Sequence, residues 1–139
     1  MTNPSIEVME SVMRGALKDA GLTPEQISYV NAHGTATQAG DYAESWAVNR
    51  VFGERMPISS MKGHLGHLMG ACGVIETVAS LAMLQQNLLV PTKNLHEPDP
   101  KCARLDYLRE SPREGDIRYI LKNSFAFGGI NATLIIAKV

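Results

Sequence analysis

Residues 27–40 read Ile27-Ser28-Tyr29-Val30-Asn31-Ala32-His33-Gly34-Thr35-Ala36-Thr37-Gln38-Ala39-Gly40. The first six make an apolar run of the right length for a buried strand, and the rest is a loop of small residues. Helical patterns lie on both sides. From Ser5 to Ala20, the residues Ile6, Met9, Val12, Met13, Ala16, Leu17 and Ala20 fall mostly on one stripe. Asn3-Pro4-Ser5 offers that helix a start and Gly21 a left-handed stop. Thr23-Pro24-Glu25-Gln26 reads as a short capped turn. Asp41 can cap a second helix running to about Phe52, with Gly53 behind it.

The chain continues with a brief strand at Pro57 to Ser60 and a small-residue loop at Met61 to Gly70. Ala71 to Gln86 is apolar nearly all round, with Glu76 its one charge, which predicts a buried helix. Leu88 to Val90 begins an extended segment that Pro91 interrupts, and Leu95 to Pro100 is a turn region. Leu105 to Leu108 reads as a short strand. Arg118 to Phe127 and Ala132 to Val139 are the best strands, with Gly128-Gly129 between them as a hairpin turn requires. The order is an α/β pattern with a mixed sheet and helices on both faces. The first helix needs a sheet to cover its apolar face, and a β-α-β unit would supply a strand before it. On that ground the chain is expected to start inside a domain.

The 139 residues are about the size of one domain. A net charge of −1 argues against general nucleic-acid binding, which needs a basic face. A hydrophobic share of 45% is enough for a core, so the chain is not disordered. No apolar stretch approaches the ~18 residues of a membrane span. The first twenty residues show helix periodicity with acids, unlike a signal peptide. Cys72 and Cys102 make no disulfide framework. Together these favour a reducing, cytoplasmic setting.

Three segments can carry chemistry. At the end of the Val30 strand, His33 with Gly34, Thr35 and Thr37 offers an imidazole beside hydroxyl donors, where open α/β sheets place their sites. The alternative is a strand-end histidine satisfied by backbone. The segment Ser59-Ser60-Met61-Lys62-Gly63-His64-Leu65-Gly66-His67-Leu68-Met69-Gly70-Ala71-Cys72-Gly73 joins a strand to the apolar helix. Its glycines allow close approach of backbone, and Lys62 and His67 can stabilise developing negative charge. A buried Glu76 needs a cationic partner, and Lys62 is the nearest in sequence. The alternative is a solvated lysine in a capping loop. His64, His67 and Cys72 raise zinc, but no fourth ligand stands at a recognised spacing, so no metal is expected. Last, Asn123-Ser124-Phe125-Ala126-Phe127-Gly128-Gly129-Ile130-Asn131 sets two aromatics before a glycine pair. They form either the wall of an apolar pocket or ordinary core packing.

Together, Asn31-Ala32-His33-Gly34-Thr35-x-Thr37, Lys62, Gly66-His67-x-x-Gly70-Ala71-x-Gly73 and Asn123-Ser124-Phe125-x-Phe127-Gly128-Gly129-x-Asn131 resemble the elongating, Cys-His-His β-ketoacyl-ACP synthases of fatty acid and polyketide synthesis. Asp41, Glu44, Glu76 and Pro91-Thr92-x-Asn94-Leu95 fit the same pattern, and the resemblance runs over essentially the whole chain. It implies a thiolase fold of two similar α/β halves, each with a five-stranded mixed sheet. Residues 1–139 would be the C-terminal half, with its first strand missing. The family's nucleophilic cysteine lies in the other half, and neither Cys72 nor Cys102 replaces it. A thiolase is disfavoured, since no cysteine lies near Asn123 to Asn131.

The resemblance implies roles. His33 and His67 would be the catalytic imidazoles, both largely neutral, aimed at the oxygen of a decarboxylating malonyl thioester. Lys62 and Glu76 would be the supporting ion pair. Thr35 and Thr37 would line the phosphopantetheine entrance, Phe125 and Phe127 the acyl-pocket wall with Phe127 as gate, and Asn131 would brace the hairpin. His64 departs from the family pattern and carries no role. No bound cofactor is implied beyond the phosphopantetheine arm of acyl carrier protein. The partners implied are that carrier protein and an N-terminal ketosynthase half or a second ketosynthase-like chain; nucleic acid and membrane are not. Condensation is the expected activity, absent from the chain alone for want of the cysteine. The alternative is a non-catalytic partner of the chain-length-factor kind. Self-association or pairing is expected from an unpaired sheet edge.

Overall fold

The stripe beginning at Ile6 is a helix in the computed structural model, which describes residues 4–138, the side chain of Phe127 excepted. Helix α1 spans Ile6–Ala20. The Ser5 hydroxyl accepts the Val8 N–H at 3.3 Å, and Gly21 closes the helix at φ 66°, the left-handed region glycine enters without strain. Asn3 and Val139, named in the sequence reading, lie outside the described residues. Pro24–Gln26 makes one 3₁₀ turn, and the Thr23 N–H donates to Gln26 Oε1 at 2.9 Å.

Strand β1 is Tyr29–Asn31, buried throughout. Helix α2 spans Gln38–Phe52, longer than the sequence reading has it. Thr37 is its extended N-cap residue, and Asp41 sits in the first turn instead of at the cap. An acid there still meets the positive end of the helix. Strand β2 is Pro57–Ser59. The following segment, expected as plain loop, contains the short helix α3 at Lys62–Leu65 and a 3₁₀ turn at Met69–Ala71. Helix α4 is Cys72–Gln86. Strands β3 (Leu88–Leu89), β4 (Asp106–Tyr107), β5 (Arg113–Glu114), β6 (Tyr119–Phe125) and β7 (Asn131–Ala137) complete the order. Sequence reading misses β5, a charged pair of residues with no strand signal.

Five strands form one mixed sheet in the order β4-β2-β1-β6-β7, parallel except for β7, and β3 pairs antiparallel with β5. Successive residues of a strand face opposite sides. Val30 and Leu121 therefore join Met9, Met13, Leu17, Ala47 and Val48 under α1 and α2. Tyr29 and Ile120 join Met83, Leu84 and Leu108 on the α4 side. The sheet cover that the sequence reading sought before α1 comes partly from β7, at the far end of the chain.

Helix α4 is not buried all round. Glu76, Ser80, Met83 and Leu84 face the sheet, while Val74 and Val78 remain 68% and 60% exposed, with Ile75 and Leu81 beside them. A helix laid on a sheet buries one side only, and no described residue covers the other. No helix among the described residues is long and apolar enough to cross a membrane.

Met13 is fully buried whereas Val8, on the same helix, is exposed. Met13→Ala is expected to cost about 2–5 kcal/mol and Val8→Ala less than about 0.5 kcal/mol in urea unfolding. Equal costs for the two would contradict this packing of α1.

Candidate active site

Three parallel strands deliver the site. His33 follows the end of β1, Lys62 and His67 follow β2, and Phe125 ends β6. The rings of His33 and His67 approach to 5.7 Å between centroids at an interplanar angle of 88°. The Phe125 ring stands 6.0 Å from the His33 ring, centroid to centroid. Two histidines separated by 33 intervening residues are thus brought edge to face.

The backbone at His33 is held by Glu44 of α2. The N–H groups of His33 and Gly34 donate to its two carboxylate oxygens at 2.8 and 2.9 Å. Asn123 Nδ2 donates to the same carboxylate at 3.1 Å, and Thr133 donates to Asn123 Oδ1 at 2.9 Å. Burial pushes the Glu44 pKa up although all three N–H groups favour the charged form. Gly34 has φ 40°, and a Cβ there would lie 2.7 Å from Ser60 Cβ, so the turn closes tightly over β2. The Ser60 hydroxyl donates to the Gly34 carbonyl at 2.9 Å.

The His33 imidazole is pushed down to about 3, mainly by burial and further by the Lys62 ammonium, the His67 ring and the Lys122 ammonium. It is therefore neutral at ordinary pH. At His67, the Met69 N–H points at Nδ1 at 3.1 Å, and Cys72 Sγ lies 3.4 Å from the same nitrogen. A backbone N–H can only donate, so Nδ1 presents a lone pair and the ring's proton sits on Nε2.

Lys62 and Glu76 meet at 2.5 Å, both buried. The sequence reading names this pair but misses the third member. Lys122 of β6 places Nζ 3.1 Å from Glu76 Oε2, at ion-pair distance though outside hydrogen-bonding geometry, and donates to the Ser124 hydroxyl. A lysine inside the apolar run Ile120-Leu121-Lys122 was the available signal. A buried cation in a central strand needs a buried anion.

Thr35, Thr37, Asp41, Lys62 and His67 line one cavity of about 550 Å³. His33 is flanked in sequence by two of its lining residues, Ala32 and Gly34. The two threonine hydroxyls are 3.0 Å apart. Asn131 Nδ2 reaches the Gly129 carbonyl at 3.4 Å within the hairpin. The wall and gate role expected of Phe127 falls on a side chain outside the described set. His64, left without a role, has Nε2 2.8 Å from the Pro91 carbonyl, fastening its loop to the 91–94 segment.

Residues 1–96 match the family model of the β-ketoacyl synthase C-terminal domain. The chain belongs to this family. It is 41% identical to 3-oxoacyl-[acyl-carrier-protein] synthase 2 of Coxiella burnetii, over 99% of this chain and 34% of that protein. The crystal structure of a β-ketoacyl synthase from Burkholderia phymatum is 52% identical with a TM-score of 0.98, covering 100% of this chain and 34% of that one. The ishigamide ketosynthase/chain length factor is 36% identical with a TM-score of 0.94, covering 99% of this chain and 34% of that one. The chain thus spans about a third of the length of the relatives it matches and corresponds to the C-terminal part of a ketosynthase.

Two outcomes test this geometry. A Cβ on Gly63 would lie 2.7 Å from the Lys93 carbonyl oxygen. Gly63→Ala should therefore cost about 1–3 kcal/mol by chemical denaturation, because backbone, not a flexible side-chain end, must give way. The second is pH linkage. Below the ordinary imidazole value of 6.5 the unfolded chain binds a proton that folded His33 refuses down to about 3. This contribution is complete above pH 6.5 and is lost as pH falls through that window. His33→Gln should show a shallower loss of stability from pH 7 to pH 4, and an unchanged slope would contradict the buried neutral ring.

Proposed function

We propose that this chain is the C-terminal catalytic part of a β-ketoacyl-ACP synthase that condenses an acyl thioester with malonyl-ACP. The observation that carries this reading is the pair of imidazoles, His33 and His67, meeting at 5.7 Å beside a cavity open to a substrate arm. An N-terminal portion would supply the cysteine that holds the acyl group. Malonyl-ACP then loses carbon dioxide: the bond to the carboxylate breaks, and its electron pair enters the thioester as an enolate. Two neutral N–H donors aimed at that oxygen stabilise the charge where it develops. The enolate carbon attacks the acyl carbon, a C–C bond forms and the cysteine thiolate leaves. The Lys62–Glu76 pair would hold the loop that carries His67.

Thr35 and Thr37 would line the entrance for the phosphopantetheine arm of acyl carrier protein. Phe125, with Phe127, would wall the acyl pocket, and Asn131 would brace the hairpin that carries them. The bare face of α4 would take the N-terminal portion, because relatives of this chain are about three times its length and no described residue covers this apolar face. Without that portion the chain would not condense. Two free cysteines, Cys72 and Cys102, favour a reducing, cytoplasmic setting.

The similarity to a ketosynthase/chain length factor protein favours a second reading, a non-catalytic partner that pairs with a ketosynthase. Retention of His33, Lys62, His67 and Glu76 in one place weighs for catalysis instead. The test is condensation by this chain joined to a cysteine-bearing N-terminal portion. His67→Ala is expected to lower kcat by about 10²–10³. Wild-type and His67→Ala complexes that condense equally well would refute the catalytic assignment of His67.

A further inference from the structure

Lys122 is a buried ionisable group to which the proposed reaction assigns no task. Its side chain is 3% exposed, in the middle of β6 and opposite Asn31, the last residue of β1. Its neighbours are specific. Glu76 Oε2 lies 3.1 Å from its ammonium, and the Ser124 hydroxyl, two residues on, accepts its hydrogen bond. The other oxygen of the same carboxylate holds Lys62 at 2.5 Å. One buried anion is thus shared by two buried cations from different elements.

We propose that Lys122 is a positioning residue of the site, tying the β6 end that carries Phe125 to the same Glu76 carboxylate that holds the His67 loop through Lys62. The inference rests on the condensing reading above and deepens it. Removing charge from water is costly, and a 2% exposed carboxylate with a single cation would already be paired. A second lysine therefore serves something beyond neutralising Glu76. Two effects follow from its placement. The hairpin strand and the β2–α4 connection cannot shift independently, because both hang on one carboxylate. The cluster also carries two positive charges against one negative, and this excess lies near the ring of His33. The groups facing that ring are Lys62 of α3, His67 of the following loop, Lys122 and Phe125 of β6, and Glu44 of α2, which holds its backbone. Lys122 thereby helps to keep His33 an uncharged donor and favours an anion arriving between the two rings.

The test uses the complete enzyme, this chain with its cysteine-bearing N-terminal portion, and malonyl-ACP as substrate. Lys122→Met keeps the length and loses the charge, Lys122→Arg keeps the charge, and Lys122→Gln keeps a donor to Ser124. Lys122→Met and Lys122→Gln are each expected to lower kcat about tenfold, the scale of one lost hydrogen bond to a charged group, with KM changed far less. Both should move the acid limb of the kcat profile to higher pH, and Lys122→Arg should restore most of the rate. A residue that only fills space would leave the pH profile unmoved and be replaced by Met without loss. Wild-type kcat and pH profile in Lys122→Met would overturn the proposal. Should Lys122→Met fail to fold, the same result in Lys122→Gln would overturn it. Failure of the condensing reading shows separately, as equal rates in wild type and His67→Ala, and would take this inference with it.

Discussion

Helix α4 carries one charge, and that charge is buried. A carboxylate at the position of Glu76 must find cations or take up a proton. It finds two, Lys62 from the turn after β2 and Lys122 from the middle of β6. Much of the site's shape hangs on this clamp. The Lys62 contact draws the segment of residues 60–67 onto α4, which brings His67 within reach of a helix start where the Met69 N–H and Cys72 orient its ring. The Lys122 contact fixes β6, whose last residue, Phe125, stands against His33. An apolar replacement of one member would leave the others unbalanced in a medium that penalises bare charge.

A second buried carboxylate performs the matching task on the other side of the sheet. Glu44 bonds the backbone of His33 and Gly34 and receives Asn123 from β6. Each of the two acids therefore joins a helix to the strand-end loops and to β6. Glu44 holds the loop after β1 and Glu76 the loop after β2. The two imidazoles meet because loops leaving adjacent parallel strands are each anchored from a different face of the sheet. The close approaches of Gly34 to Ser60 and of Gly63 to Lys93 leave these loops little room for other paths.

Much of this was legible beforehand. The apolar stripe of α1, the run around Val30, the hairpin strands and the glycine punctuation each have a local physical cause, and the elements stand close to where those causes put them. The pairing of Lys62 with Glu76 was legible from the rule that a buried acid needs a cation. Lys122 was not, because alternation along β6 says only which face a residue takes and not what awaits it there. Asp41 was placed at a helix cap because its residue type suits one, yet the chain turns helical earlier at Gln38. The short helix at Lys62–Leu65 was hidden by two glycines and by contacts with residues 91–94 far along the chain.

What the amino-acid order settled unaided is the local chemistry: which segments are helix or strand, which residues can donate, accept or carry charge, and the family whose motifs they resemble. Periodicity, caps and turn residues act over a few positions, so they can be read along the chain. The meeting of His33 with His67, the shared carboxylate of Glu76 and the bare apolar side of α4 were decided only by the tertiary structure. Each depends on elements far apart in sequence being packed on one sheet, where burial, not order along the chain, sets which partner a group can find.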